Sequence, residues 1–176
     1  NCGGYETAET IGALSEYVDI WLPDLKYYSP ILSRRYSQAE DYFAVASRAV
    51  EQMIRLTGPP EFGEYKDKRS GTACSILRKG VIIRHMVLPR HKDDSIRLLY
   101  WMKDTLPKGG FLISLMSQYT PFYRSADYPE INRRITTYEY EKVLNTAIEL
   151  GLTDGFMQEK SSAKEEYTPP FELEGL

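Results

Sequence analysis

Val18-Asp19-Ile20-Trp21-Leu22-Pro23-Asp24-Leu25-Lys26 opens as a short apolar run and closes on an acid and an ammonium. Its first half reads as a strand buried on both faces, the kind found in parallel sheets. Asp24 and Lys26 are two residues apart, so an extended backbone sends both side chains to the same side. Pro23 has no N–H to give a neighbouring strand, so pairing is expected to weaken there and the ladder to open towards Asp24. Charged groups at the carboxyl end of a parallel strand stand where α/β folds place their ligands. The plainer alternative is a surface ion pair that only closes the strand.

Two further apolar runs match the first. Val81-Ile82-Ile83-Arg84-His85-Met86-Val87-Leu88-Pro89 is interrupted only by Arg84 and His85, and Phe111-Leu112-Ile113-Ser114-Leu115-Met116-Ser117 ends in Gln118-Tyr119. Helical spacing fills the intervals: Ala8, Ile11 and Leu14 before the first run, and Ile96, Leu99 and Met102 between the second and third, capped by Asp93 or Asp94. After Lys26, Tyr27-Tyr28-Ser29-Pro30 starts a loop with one helical turn to Tyr36. Ser37 and Glu40 have capping-box spacing and introduce a helix to Thr57, stopped by Gly58-Pro59-Pro60. Thr136 and Glu139 repeat that spacing before a helix ended by Gly151, and Gly155-Phe156-Met157 reads as a last short strand. Glu61 to Lys79, with Lys66, Lys68, Arg69, Arg78 and Lys79, has no clear period and is expected to be an irregular, solvated loop. Alternating helices and apolar strands mean repeated βα units on a parallel sheet.

Parity separates the two polar residues of the second run. Arg84 shares a face with Met86 and Leu88, His85 with Val87, so one of the two must look into the helices. A guanidinium inside an apolar strand is costly unless paired, and Asp24 on a neighbouring strand is the expected partner. His85 is expected to be a packing residue, and Arg84, whose fork can grip a carboxylate, a ligand contact.

The 176 residues suit one domain that buries about 70% of its unfolded surface, and a net charge of -3 argues against a general nucleic-acid binder. No apolar run approaches the ~20 residues of a membrane span. Cys2 and Cys74 lie far apart, which fits no zinc site and no disulfide scaffold and leaves a cytoplasmic setting as the expectation. The first residue is Asn1 in a Gly-rich turn, with neither an initiating Met nor a leader, a beginning that suggests a fragment or a processed product.

In order along the chain, NCGGYE, VDIWLPDLKYY, RRYSQAEDYF, VIIRHMVLP, SLMSQYTPFY and INRRITTYEY resemble the C-terminal half of a radical S-adenosylmethionine enzyme of the pyruvate formate-lyase activating enzyme-like group. The resemblance runs from Asn1 to about Tyr167. It implies an α/β fold, the C-terminal half of a partial (β/α)6 TIM-like barrel over residues 1–158, followed by an acidic tail at 159–176. It also implies an oxidoreductase chemistry: reductive cleavage of S-adenosylmethionine by a 4Fe-4S cluster, giving a 5′-deoxyadenosyl radical. In characterised activases that radical installs a glycyl radical on a partner enzyme. By position, Asp24 and Lys26 look like the family's D-x-K at the cofactor pocket, Arg84 like a polar lining residue, and Met86 like an apolar residue near the adenine. Gln118 and Tyr119 stand where activases usually have a His, and Asn1 falls in the family's N-x-x-G turn.

The CxxxCxxC loop and the GGE motif of the family would lie before Asn1, so this chain alone is expected to be inactive. No catalytic or metal-ligating residue is assigned within it. Two other readings use the same residues. One is a Schiff-base lyase or aldolase on a βα barrel with Lys26 as nucleophile; the other is a non-catalytic module that binds a protein through the loop at 119–129 or the basic loop at 64–79. With a preceding strand missing, the Val18 strand is expected to show a bare edge, and Ile20, Leu22 and Met86 an opened lumen. Self-association through that edge, or cover by residues 159–176, would follow.

Overall fold

The computed structural model describes residues 1–66 and 72–157. The expected acidic tail at 159–176, and Lys68 and Arg69 of the basic loop, lie outside the described residues. Helices α1 (Ala8–Leu14), α2 (Pro30–Ser37), α3 (Tyr42–Thr57), α4 (Lys92–Thr105) and α5 (Thr137–Glu149) are interspersed with strands β1 (Ile20–Trp21), β2 (Glu61–Lys66), β3 (Ala73–Met86), β4 (Leu112–Met116) and β5 (Gly155–Met157), in the order α1-β1-α2-α3-β2-β3-α4-β4-α5-β5. The order across the sheet is β1-β3-β4-β5, and every neighbouring pair on that path is parallel. The fold is therefore mixed α/β around a parallel sheet.

Strand periodicity decides which side chains meet the helices. On β3 and just beyond, Val81, Ile83, His85 and Val87 are buried, while Ile82, Arg84, Met86 and Leu88 are half-buried. Val81, Ile83 and Val87 join Trp21, Leu25, Ile113 and Leu115 in one apolar cluster with Ile11, Val50, Met53, Leu98, Leu99, Met102 and Val143 from the helices. Leu112 and Met116 are also buried but stand outside that cluster, on the opposite face of the sheet. Each large side chain in the helix-side core contributes roughly 1.5–3 kcal/mol of transfer free energy, so this face supplies most of the cohesion.

Several expectations need correction. Ser37 does not cap α3. It ends α2, its hydroxyl meets the Tyr27 hydroxyl at 3.0 Å, and Gln38 turns left-handed (φ 54°) to separate the two helices. Pro30 at the first helical position starts α2 as two turns rather than one. His91, not Asp93 or Asp94, precedes α4; Asp94 instead accepts from the Tyr28 and Ser29 N–H groups, both at 2.9 Å, and ties the loop after β1 to α4. Thr136 and Glu139 do form the capping box, and Arg133 clamps the same carboxylate with both Nη atoms.

The described parts of the segment from Glu61 to Lys79 do not form an irregular loop. β2 runs antiparallel along the first half of β3, from Glu61 opposite Lys79 to Lys66 opposite Ala73. The ribbon is exposed along most of both strands, so it lacks the apolar-polar alternation that marks a strand resting on a core.

The edge of the first strand is covered only in part: β1 itself ends the sheet, and past it one bridge adds a neighbour. Cys2 N–H donates to Leu22 O (3.1 Å) and Asp24 N–H donates to Cys2 O (3.0 Å), a parallel bridge that continues the sheet beyond β1. Ile20, Leu22 and Met86 are half-buried. Pro23 acts locally. By the register, the N–H it lacks would have bonded Ile82; pairing resumes at once, with Arg84 N–H on Pro23 O (2.9 Å) and Leu25 N–H on Arg84 O (2.8 Å).

His85 is 2% exposed, and both ring nitrogens are engaged, Nδ1 with Leu25 O at 2.6 Å and Nε2 with Ser95 Oγ at 2.8 Å. A carbonyl can only accept, so Nδ1 carries the proton and Nε2 accepts from the serine. Burial lowers the pKa of His85 below its ordinary 6.5, and burial also lowers that of His91. The unfolded chain therefore binds protons first as pH falls. The stability tied to these histidines is complete above about pH 6.5 and drains as pH drops below it, by up to ~1.4 kcal/mol per pH unit per histidine. Urea midpoints measured from pH 7 to pH 5 should fall, and His85→Gln should flatten the decline. A wild-type midpoint constant over that range would contradict the assignment.

Candidate functional site

Asp24, Arg84 and Ser114 lie on the face of the sheet away from the helix-side core, opposite to His85. Register alone aligns them: Asp24 bridges Arg84, Arg84 pairs with Ser114, and Met86 pairs with Met116. Since Lys26 and Gln118 continue the same parities past the strand ends, they rim the same hollow. All five residues expected at a ligand site, Asp24, Lys26, Arg84, Met86 and Gln118, line one pocket of about 310 Å³. That volume is at the lower end of small-molecule sites. Tyr27, Leu88, Met116 and Tyr119 complete the wall.

Asp24 organises the charges. Its Oδ1 accepts from Arg84 Nε at 2.8 Å and from Arg84 Nη2, so both guanidinium donors converge on one oxygen. Its Oδ2 faces Lys26 Nζ at 3.7 Å. One carboxylate thus serves two cations and leaves a formal excess of one positive charge. The Asp24 and Arg84 side chains are 22% and 25% exposed, whereas Lys26 is 47% exposed and only loosely held. Lys26 is the group that can turn to an incoming anion without unmaking the inner pair.

The rest of the wall is soft and aromatic. Met86 and Met116 lie side by side on adjacent strands, and Gln118 Nε2 approaches Met116 Sδ at 3.6 Å. Tyr27 and Tyr119 contribute rings from the segments that follow the first and third strands of the parallel sequence. Burial raises the pKa of both phenols, so they stay protonated at neutral pH. The arrangement suits a ligand with one anionic group and a flat or apolar body. Leu88, Met116 and Tyr27 were not singled out as binding residues from sequence, whereas Tyr119 was named beside Gln118. Parity with Arg84 and Gln118 was the signal that could have found Leu88 and Met116; nothing in local spacing points to Tyr27.

A second polar group joins α2 to the segments that follow β3 and β4. Tyr36 Oη lies 2.7 Å from His91 Nε2 and donates to Glu130 Oε1 at 2.8 Å, while Arg35 Nη2 meets that carboxylate at 2.7 Å. It clasps the segments after β1, β3 and β4. Among the described residues, no group of three or more His, Cys, Asp or Glu side chains could hold a metal ion. Burial raises the Cys2 thiol to about 11, so it is not a thiolate at neutral pH.

A partly buried pair whose members share one environment should behave cooperatively. In a double-mutant cycle with Asp24→Asn and Arg84→Met, urea denaturation is expected to give a coupling energy of roughly 1–3 kcal/mol. Additive single effects would show that the pair is only a surface contact.

Over 149 residues the chain is 30% identical to the uncharacterized protein MJ0674 of Methanocaldococcus jannaschii, an alignment covering 84% of this chain and 36% of that protein. The chain thus spans little more than a third of the relative's length. No family model and no solved structure matches it. Among the described residues, no helix is long and apolar enough to cross a membrane.

Proposed function

We propose that this chain is the C-terminal half of the catalytic domain of a radical S-adenosylmethionine enzyme resembling the pyruvate formate-lyase activating enzymes, and that the pocket around Asp24 receives S-adenosylmethionine. The carrying observation is the convergence of Asp24, Lys26, Arg84, Met86 and Gln118 on one pocket at the carboxyl ends of parallel strands. The ordered run of six sequence motifs from NCGGYE to INRRITTYEY supports it as well. In this reading the sheet is the C-terminal part of a partial (β/α)6 barrel, and the face bearing the pocket is the lumen.

The residues present fit such a ligand in kind. Lys26 offers an ammonium for a carboxylate, Asp24 a carboxylate for a hydroxyl or ammonium, and Met86, Leu88 and Met116 an apolar bed for a purine. Arg84 keeps Asp24 in place, so a ligand meets an oriented carboxylate. Tyr27 and Tyr119 line the same pocket and offer aromatic surface to a flat ring. A reduced 4Fe-4S cluster, held by thiolates of a CxxxCxxC segment preceding Asn1, would supply the electron that makes bound S-adenosylmethionine a source of a hydrogen-abstracting radical. The partner in this reading is a glycyl radical enzyme, and the setting is the cytoplasm.

The lyase reading draws less from the geometry. Lys26 is half exposed and lies beside a carboxylate, an arrangement better suited to holding an anion than to a desolvated amine nucleophile.

The coding sequence immediately upstream of Asn1 should contain CxxxCxxC followed by GGE. In the protein carrying those motifs, Lys26→Ala should weaken S-adenosylmethionine binding about tenfold, equivalent to ~1.4 kcal/mol, with iron content unchanged. An upstream frame without the cysteines would contradict the reading.

A further inference from the structure

We propose that Tyr42 is the positioning residue of the pocket: its hydroxyl holds the backbone between Asp24 and Lys26 where regular strand pairing gives out, and so fixes where their charged ends stand. The inference rests on the reading of this pocket as the ligand site. It concerns a residue of α3 that does not line the pocket.

The backbone accounts for the need. Leu25 N–H on Arg84 O, at 2.8 Å, joins this segment to β3, and past it Lys26 N–H has no strand to face. It donates to Tyr42 Oη at 3.1 Å. On the other edge, Asp24 N–H is taken by Cys2 O, and a continuing ladder would bring the next N–H from Gly4 to Asp24 O. The chain turns away instead at Gly4, with φ +82°, where any side chain would collide with the Asp24 carbonyl oxygen. Tyr42 fills that place, donating to Asp24 O at 2.7 Å. The hydroxyl also stands 3.1 Å from Gly3 O, but it has one proton, and the shorter contact takes it.

One oxygen therefore bonds the peptide groups on both sides of Leu25. The ring cannot easily swing aside. It is 4% exposed, stacked on Tyr5 at 5.9 Å between centroids and met edge-on by Tyr27 at 5.5 Å. Tyr27 itself lines the pocket. Burial raises the Tyr42 pKa, so the phenol remains a donor across the neutral range. Tyr42 thus sets Asp24 and Lys26 through the backbone and Tyr27 through its ring.

Tyr42→Phe keeps the ring and removes only the oxygen. In the 176-residue chain, hydrogen exchange at the Lys26 amide should accelerate about tenfold or more, while the Ile83 and Leu115 amides keep their rates. Affinity for S-adenosylmethionine, measured by calorimetric titration, should fall about tenfold in the same variant. Tyr140→Phe is the control: it removes an equally buried hydroxyl that donates to Leu115 O at 3.1 Å. It should lower the thermal midpoint comparably and leave both Lys26 exchange and affinity unchanged. A wild-type chain that binds, with Tyr42→Phe binding equally well, would overturn the positioning role alone. Unchanged Lys26 exchange would overturn it too. A wild-type chain without affinity would instead overturn the ligand reading on which the inference rests, and the positioning role with it.

Discussion

A guanidinium set into an apolar parallel strand must find a carboxylate, and the Asp24–Arg84 pair is where this sheet meets that demand. Strand register puts the two residues opposite each other, and the pair then holds the carboxyl end of the first strand against the second. Its energetic worth is moderate because both groups keep some contact with water. Its geometric worth is larger. With Oδ1 committed to Arg84, Oδ2 is turned to Lys26, and the three charges form one cluster with a single cationic surplus at the pocket mouth. Breaking either bond would scatter groups whose value lies in their convergence.

Much of this was legible because parity in a strand is a strict rule. Assigning Arg84 and Met86 to one face and His85 to the other needs only the two-residue repeat, and the structure keeps that division: His85 is satisfied within the helix-side core and Arg84 faces the pocket. The Thr136–Glu139 cap was legible for a similar reason, since both of its bonds lie within four residues. The Ser37–Glu40 pattern has the same spacing and failed. Its serine was claimed by Tyr27, a partner ten residues away that local spacing cannot weigh. A capping pattern is an offer that tertiary contacts can outbid.

The ribbon of β2 and the first half of β3 was hidden for a different reason. Neither of its strands rests on a core along most of its length, so selection for an apolar face is absent and the alternation that advertises a strand is lost. The bridge from Cys2 to Pro23 was hidden because a single residue pair carries no period at all. Tyr42 combined both difficulties. Its position fits the apolar face of α3, and its hydroxyl acts on residues 16 and 18 positions away in sequence. Side chains that serve two roles show only the commoner one to a sequence reader.

The central claim is that the hollow built by Asp24, Lys26, Arg84, Met86 and Gln118 is a ligand site for S-adenosylmethionine. Titrating the isotopically labelled chain with that compound, and following backbone amide and methionine methyl shifts by NMR, tests it most directly. The account predicts saturable changes concentrated at Asp24, Leu25, Lys26, Arg84, Met86, Met116 and Gln118, with the exposed ribbon of β2 silent. Shifts that fail to saturate, or that gather on the ribbon and leave Asp24 and Lys26 unmoved, would contradict it.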